Sequence, residues 1–92
     1  PQKVGFDITA FLGIYLEKGS QYSDAVKQLQ QIKEVVELHY CTGQYSMFAK
    51  IVCRDTAHLR KVLNEDIQAL TGIQRTETII SLEESIKRQI TL

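Results

Sequence analysis

The sequence predicts an α+β sandwich in which an antiparallel four-stranded sheet is covered by two helices on one face. Three observations predict it. Two segments carry apolar residues at helical spacing, four carry strand-like patterns, and they follow one another as β-α-β-β-α-β. That order is the ferredoxin-like split βαβ arrangement. Right-handed crossovers place both helices on the same face of the sheet.

From Asp7 to Glu17 the residues alternate. Ile8, Ala10, Leu12, Ile14 and Leu16 share one face; Thr9, Phe11, Gly13, Tyr15 and Glu17 share the other. Lys18-Gly19-Ser20 breaks the strand, and Ser20 is the expected cap of a helix from Tyr22 to Ile32. Tyr22, Ala25, Val26, Leu29 and Ile32 form its apolar stripe. The second strand spans Glu34 to Thr42, with Val36, Leu38 and Tyr40 on one face and Val35, Glu37, His39 and Cys41 on the other. Thr42-Gly43-Gln44 is a short turn, so the third strand, Tyr45 to Arg54, pairs with the second as an antiparallel hairpin. Asp55 is the expected N-cap of the second helix, whose stripe is Leu59, Val62, Leu63, Ile67 and Leu70. Gly72 suits the left-handed position that ends it. Ile73 to Leu82 is the fourth strand, and the tail from Glu83 to Leu92 is expected as a C-terminal extended segment.

The length of 92 residues fits one domain, and 43% hydrophobic with 24% charged residues is an ordinary globular composition. A chain this short buries only about 60–65% of the surface it exposes unfolded, so self-association is a natural source of extra stability. The helices cover one face of the sheet, and the other carries Phe11 and Tyr15. Bare apolar surface of that kind marks an interface, and Phe11 and Tyr15 are expected at a dimer contact. Eleven basic and eleven acidic residues cancel, and the longest basic grouping, Lys87-Arg88, follows Glu83-Glu84. Nucleic acid is therefore expected to bind this segment poorly. No stretch approaches a membrane span and no signal peptide is visible. The expectation is a cytoplasmic protein with reduced cysteines. The sequence opens on Pro1 rather than Met, which points to further N-terminal sequence.

Chemistry-bearing residues are few. His39 and His58 have no partners at metal-ligand spacing, so no metal and no cofactor are expected. His39 is placed on a strand and His58 on a helix surface. Cys41, two residues from His39 on one strand face, lacks an oxyanion hole for nucleophilic work, and a structural role is favoured. Most carboxylates, Glu34 and Glu37 among them, read as solvated positions. Glu77 differs, because it lies inside a strand, where an unpaired charge is costly if covered. It faces solvent, pairs across an interface, or meets a ligand's ammonium group. Thr42-Gly43-Gln44-Tyr45-Ser46 combines a permissive glycine, two hydroxyls and an aromatic wall, and its simplest reading is a hairpin turn.

Two segments say more when taken together. Residues 40–55, YCTGQYSMFAKIVCRD, resemble the turn-and-strand signature of the Lrp/AsnC (feast/famine) transcription regulators, T/S-G-x-Y-D followed by an apolar strand and an acidic helix cap. Residues 72–84, GIQRTETIISLEE, resemble the closing strand of that family, G-[VI]-x-x-T-x-T before an apolar run. The likeness extends from about Val4 to the C-terminus and is greatest to the asparagine-responsive AsnC branch, which also has Ser where most members have Asp. It implies a C-terminal effector-binding domain, 7–92, preceded at 1–6 by the end of a linker from an absent helix-turn-helix domain. It implies dimers packed sheet against sheet, assembly of four dimers into an octamer, and a free amino acid bound between dimers, with asparagine favoured. DNA would be reached only through the absent domain. The matching positions are Thr42, Gly43, Gln44, Tyr45 and Ser46 in the turn and Gln74, Thr76, Glu77 and Thr78 in the last strand. In this scheme N–H groups around Gly43 take the effector carboxylate, Glu77 or nearby carbonyls take the ammonium, and Ser46 and Gln44 read the side chain. Three alternatives compete: a stand-alone effector domain that co-assembles with full-length regulators, a small dimeric ferredoxin-like enzyme, and an ACT-like metabolic regulatory domain.

Overall fold

Because successive strand residues point to opposite faces, one run of alternating apolar residues in the middle of the sheet decides where the core lies. In a computed structural model, which describes residues 7–91, that run is β1, Ile8–Leu16. It is followed by α1 (Tyr22–Gln30), β2 (Val35–Tyr40), β3 (Met47–Cys53), α2 (Thr56–Lys61) and β4 (Ile73–Ile80). The sheet order is β2-β3-β1-β4 and every pairing is antiparallel. The architecture is the predicted ferredoxin-like sandwich. The expected linker end at 1–6 lies outside the described residues.

Ala10, Leu12 and Ile14 of β1 and Met47, Ala49 and Ile51 of β3 are fully buried beneath the helices. The helices meet them with Ala25, Leu29, Leu59 and Val62, followed by Ile32 and Ile67. Both predicted helical stripes thus face the core. The second helix changes pitch at Lys61, and Val62–Ile67 continues it with π-type spacing. The segment ends earlier than expected, with Gln68 as its C-cap, so Gly72 does not end the helix; at φ +79°, in the left-handed region, it turns the chain into β4. Gln28, on the polar side of α1, reaches Thr71 there: its amide donates to the Thr71 carbonyl and accepts from the Thr71 N–H, each at 3.0 Å.

Three sequence expectations change. Ser20 caps nothing; Gly19–Gln21 forms a 3-10 turn, and the Gln21 side-chain oxygen accepts from the Lys18 N–H at 3.1 Å. In β2 the register against β3 shifts between Val35 and Glu37. The extra residue, Val36, is 53% exposed, and Val35 joins Leu38 on the core side, which reverses the predicted face of Val35 and Val36. Tyr40 stacks on Tyr22 of α1 with ring centroids 4.3 Å apart. Finally, β4 ends at Ile80 rather than Leu82; 81–91 beyond it holds neither helix nor strand, and Leu82, Ile86 and Ile90 are exposed there.

His58 and Glu34 also leave their predicted surfaces. Asp55 caps α2 as expected, its carboxylate accepting from the His58 N–H at 2.8 Å. The His58 side chain turns inward, where Nδ1 accepts from the Arg54 N–H at 3.0 Å. The ring proton therefore sits on Nε2, which donates to Glu34 at 2.7 Å. Both side chains are only 11% exposed, so this hydrogen bond ties the start of β2 to the start of α2 with little solvent screening.

Two outcomes follow. Asp55→Ala, which removes the cap, is expected to cost about 1 kcal/mol in urea unfolding. Glu34 is held below the ordinary glutamate range, chiefly by the hydrogen bond from His58. A carboxylate whose pKa falls on folding adds stability above its unfolded value and loses it as acid titrates the folded state. The melting temperature is expected to drop as pH falls below the ordinary glutamate value, and Glu34→Gln to flatten that acid limb. Circular dichroism melts of both proteins across this range check it, and parallel acid limbs would refute it.

Candidate functional site

The outer face of the sheet, away from the helices, carries a continuous row of aromatic rings. Phe11 and Phe48 stack at 5.7 Å, Phe48 meets Tyr45 at 5.7 Å, and Tyr45 meets Tyr15 edge-on at 5.3 Å. The Arg75 guanidinium closes the row, 4.0 Å from the Tyr15 ring centroid. These rings are partly exposed, and Ile79 beside them on β4 is 46% exposed. Phe11 and Tyr15 thus lie on the bare face, as their alternation predicted.

The row bends onto the β2–β3 turn because of Gly13. Tyr45 lies over this glycine so closely that a Cβ there would come within 2.3 Å of its ring carbons. A mid-strand glycine gives up packing and strand propensity, and here an aromatic ring occupies the vacated space. The turn is fastened at two further points. The Ser46 N–H donates to the Ile14 carbonyl at 2.9 Å, and Ser46 Oγ accepts from the Leu16 N–H at 3.2 Å. Gly43, at φ +106°, supplies the left-handed residue at the tip.

Seated in this way, the Tyr45 hydroxyl donates to Glu77 Oε1 at 2.6 Å, and the Gln44 amide donates to the Tyr15 hydroxyl at 3.1 Å. The Glu77 carboxylate pushes the Tyr45 phenol up from its ordinary value, so this proton stays on tyrosine. Turn and last strand meet here, through residues 32 positions apart in the chain. Gln44, Tyr45 and Glu77 are brought together, with Thr42 and Gly43 exposed on the same turn. The other candidates are placed differently. The Ser46 hydroxyl is directed at the β1 backbone. Thr76 and Thr78 oppose Ile14 and Leu12, so they share the helix-side face. Gln74 sits where the register with β1 shifts, between Ile73 opposite Leu16 and Arg75 opposite Tyr15.

Sequence reasoning missed Arg75, although it shares a strand face with Glu77, and it missed the Tyr45 seat, for which Gly13 inside a strand was the available signal. Cys41 meets the His39 carbonyl at 3.7 Å, while the His39 ring meets Glu37 at 3.3 Å, so thiol and imidazole do not pair. Burial pushes the Cys53 thiol up, which disfavours its thiolate. Among the described residues no three His, Cys, Asp or Glu side chains group to hold a metal ion, and no helix is long and apolar enough to cross a membrane. An open groove of about 630 Å³ lies at the other end of the outer face, between Phe11, Val52 and the root of the tail at Leu82.

Residues 9–91 match the family described as the Lrp/AsnC ligand binding domain. The chain is similar to the regulatory protein AsnC of Escherichia coli K12, with 41% identity over 90 residues, 98% of this chain and 59% of that protein. The solved structure of E. coli AsnC matches with a TM-score of 0.89 over 95% of this chain and 58% of that one. A Thermus thermophilus protein of known structure is 28% identical with a TM-score of 0.77, covering 87% of this chain and 99% of its own. A transcriptional regulator of Neisseria meningitidis, solved as an L-Met complex, shares the fold at 16% identity and a TM-score of 0.79 over 92% of this chain and 55% of that one. The chain therefore spans under three fifths of the length of AsnC, but matches nearly all of the Thermus protein.

Gly13→Ala is expected to push the Tyr45 ring off the sheet and to cost about 1–3 kcal/mol, as overpacking does. Tyr45→Phe, which keeps the ring and drops only the bond to Glu77, is expected to cost less. Urea unfolding of the two variants gives the comparison, and equal losses would mean that the seat is not the stabilising contact.

Proposed function

Because the chain belongs to the Lrp/AsnC family, as its ligand-binding domain, we propose that it senses a free amino acid and converts binding into a change of assembly. The carrying observation is the Tyr45–Glu77 contact, which joins the turn and the last strand into one polar cluster at the end of a bare aromatic face. In this reading Glu77 takes the effector's ammonium. Its Oε2 has no protein donor among the described residues, while Oε1 is held by Tyr45. N–H groups around Gly43 face the effector carboxylate, and Gln44, exposed with Thr42 on the same turn, reads the polar side chain. Ser46, Gln74, Thr76 and Thr78 contribute by shaping the turn and the strand. The Neisseria relative's complex with L-Met supports an amino acid as the ligand, and the likeness to AsnC favours asparagine.

Assembly is the output. The aromatic row meets the same row of a second copy, with Phe11 and Tyr15 at the contact, and dimers associate further towards octamers around the effector. In a full-length regulator of AsnC's size, a helix-turn-helix half would then read DNA in the cytoplasm according to the state of assembly. A second reading is supported by the Thermus protein, matched over 99% of its length: a stand-alone effector domain that co-assembles with full-length regulators.

Light scattering coupled to gel filtration, with and without each of the twenty amino acids, is expected to show a dimer or larger species. Its balance should shift with one or a few of them. Phe11→Asp, which places a charge at the centre of the row, is expected to give monomers. A strictly monomeric wild-type chain, indifferent to all twenty, would overturn the reading.

A further inference from the structure

We infer that Arg75 is the receptor for the effector's α-carboxylate, so that Arg75 and Glu77 together grip the two charges of one zwitterion. The inference rests on the amino-acid-sensing reading and supplies the full positive charge that the turn N–H groups of that reading do not carry. Arg75 and Glu77 oppose Tyr15 and Gly13 of β1, so both point from β4 to the outer face. Residues two apart in a strand have Cα atoms about 7 Å apart. Two long side chains on that base, each making a charge-assisted hydrogen bond of about 2.8 Å, can converge on adjacent ammonium and carboxylate groups.

Each head is held without being neutralised. The Arg75 guanidinium lies over the Tyr15 ring, which restrains it, and the residue is exposed. Among the described residues no carboxylate lies within salt-bridge distance of it. Glu77 is aimed by Tyr45 through Oε1 alone. The Gln44 amide, bound to the Tyr15 hydroxyl, places the turn beside the same ring. A guanidinium supplies a full charge and a planar fork that matches a carboxylate, which turn N–H groups offer only in part. The cluster therefore selects ligands carrying both free α-groups, and the turn is left to distinguish side chains.

Isothermal titration of the chain with the twenty amino acids, then with the α-carboxamide of the tightest binder, tests this. The wild-type chain is expected to prefer the free acid over its amide by about tenfold or more. Arg75→Gln is expected to lose that preference, binding acid and amide alike, and Arg75→Lys to recover part of it. A role limited to packing on Tyr15 would weaken acid and amide together and leave their ratio unchanged. Retention of the preference in Arg75→Gln overturns the assignment while amino-acid sensing stands. If none of the twenty binds the wild-type chain, the sensing reading falls and this inference falls with it.

Discussion

Tyr45 can lie against β1 only because Gly13 presents no side chain, and the geometry of the outer face depends on that contact. The ring is carried by a turn whose backbone is clipped to β1 through Ser46. It packs T-shaped with Tyr15 and tilted against Phe48, and its hydroxyl meets Glu77. A single missing Cβ on the central strand thus sets the position of the turn, the aim of a carboxylate on an edge strand, and the bend of an aromatic row. The cost in strand propensity falls on β1, where pairing on both sides and burial of Ala10, Leu12 and Ile14 hold the backbone regardless.

The second constraint is geometric. Two right-handed crossovers put both helices on one face, which leaves a two-layer molecule with half its sheet uncovered. Among the described residues the buried core is entirely hydrophobic, whereas the open face mixes rings with Lys50, Glu37, Arg75 and Glu77. Rings central to a patch that also holds charges of both signs are what an interface between like copies requires, since each charge can meet its opposite under two-fold symmetry. Sensing and assembly are proposed for the same surface, and the polar cluster lies at one end of the row. A ligand there would act directly on the packing of copies, with no relay through the core.

Glu34 and His58 show the opposite strategy on the helix side. A carboxylate and a neutral imidazole, each nearly covered, satisfy one another and the Arg54 N–H, so the α2 cap and the start of β2 are locked. The helical layer is closed and pinned, whereas the outer face is left bare.

Period-two and helical patterns in the sequence were enough to determine the strands of the sheet, the two helical stripes, the Asp55 cap and a left-handed Gly72, because these follow from local spacing and backbone preference. The paired motifs in the turn and last strand were also legible, and they pointed to the family. What tertiary structure alone decided is which of those motif residues share a surface. The extra residue in β2 reversed Val35 and Val36, because a bulge is fixed by pairing with another strand and leaves no mark in the period. Thr76 and Thr78 went to the helix side, and Arg75 joined Glu77 outside, because register against β1 sets the face of every β4 residue. The Glu34–His58 bond and the seat of Tyr45 on Gly13 each join residues far apart in the chain. No local pattern can encode such contacts, since they exist only once the chain has folded back on itself.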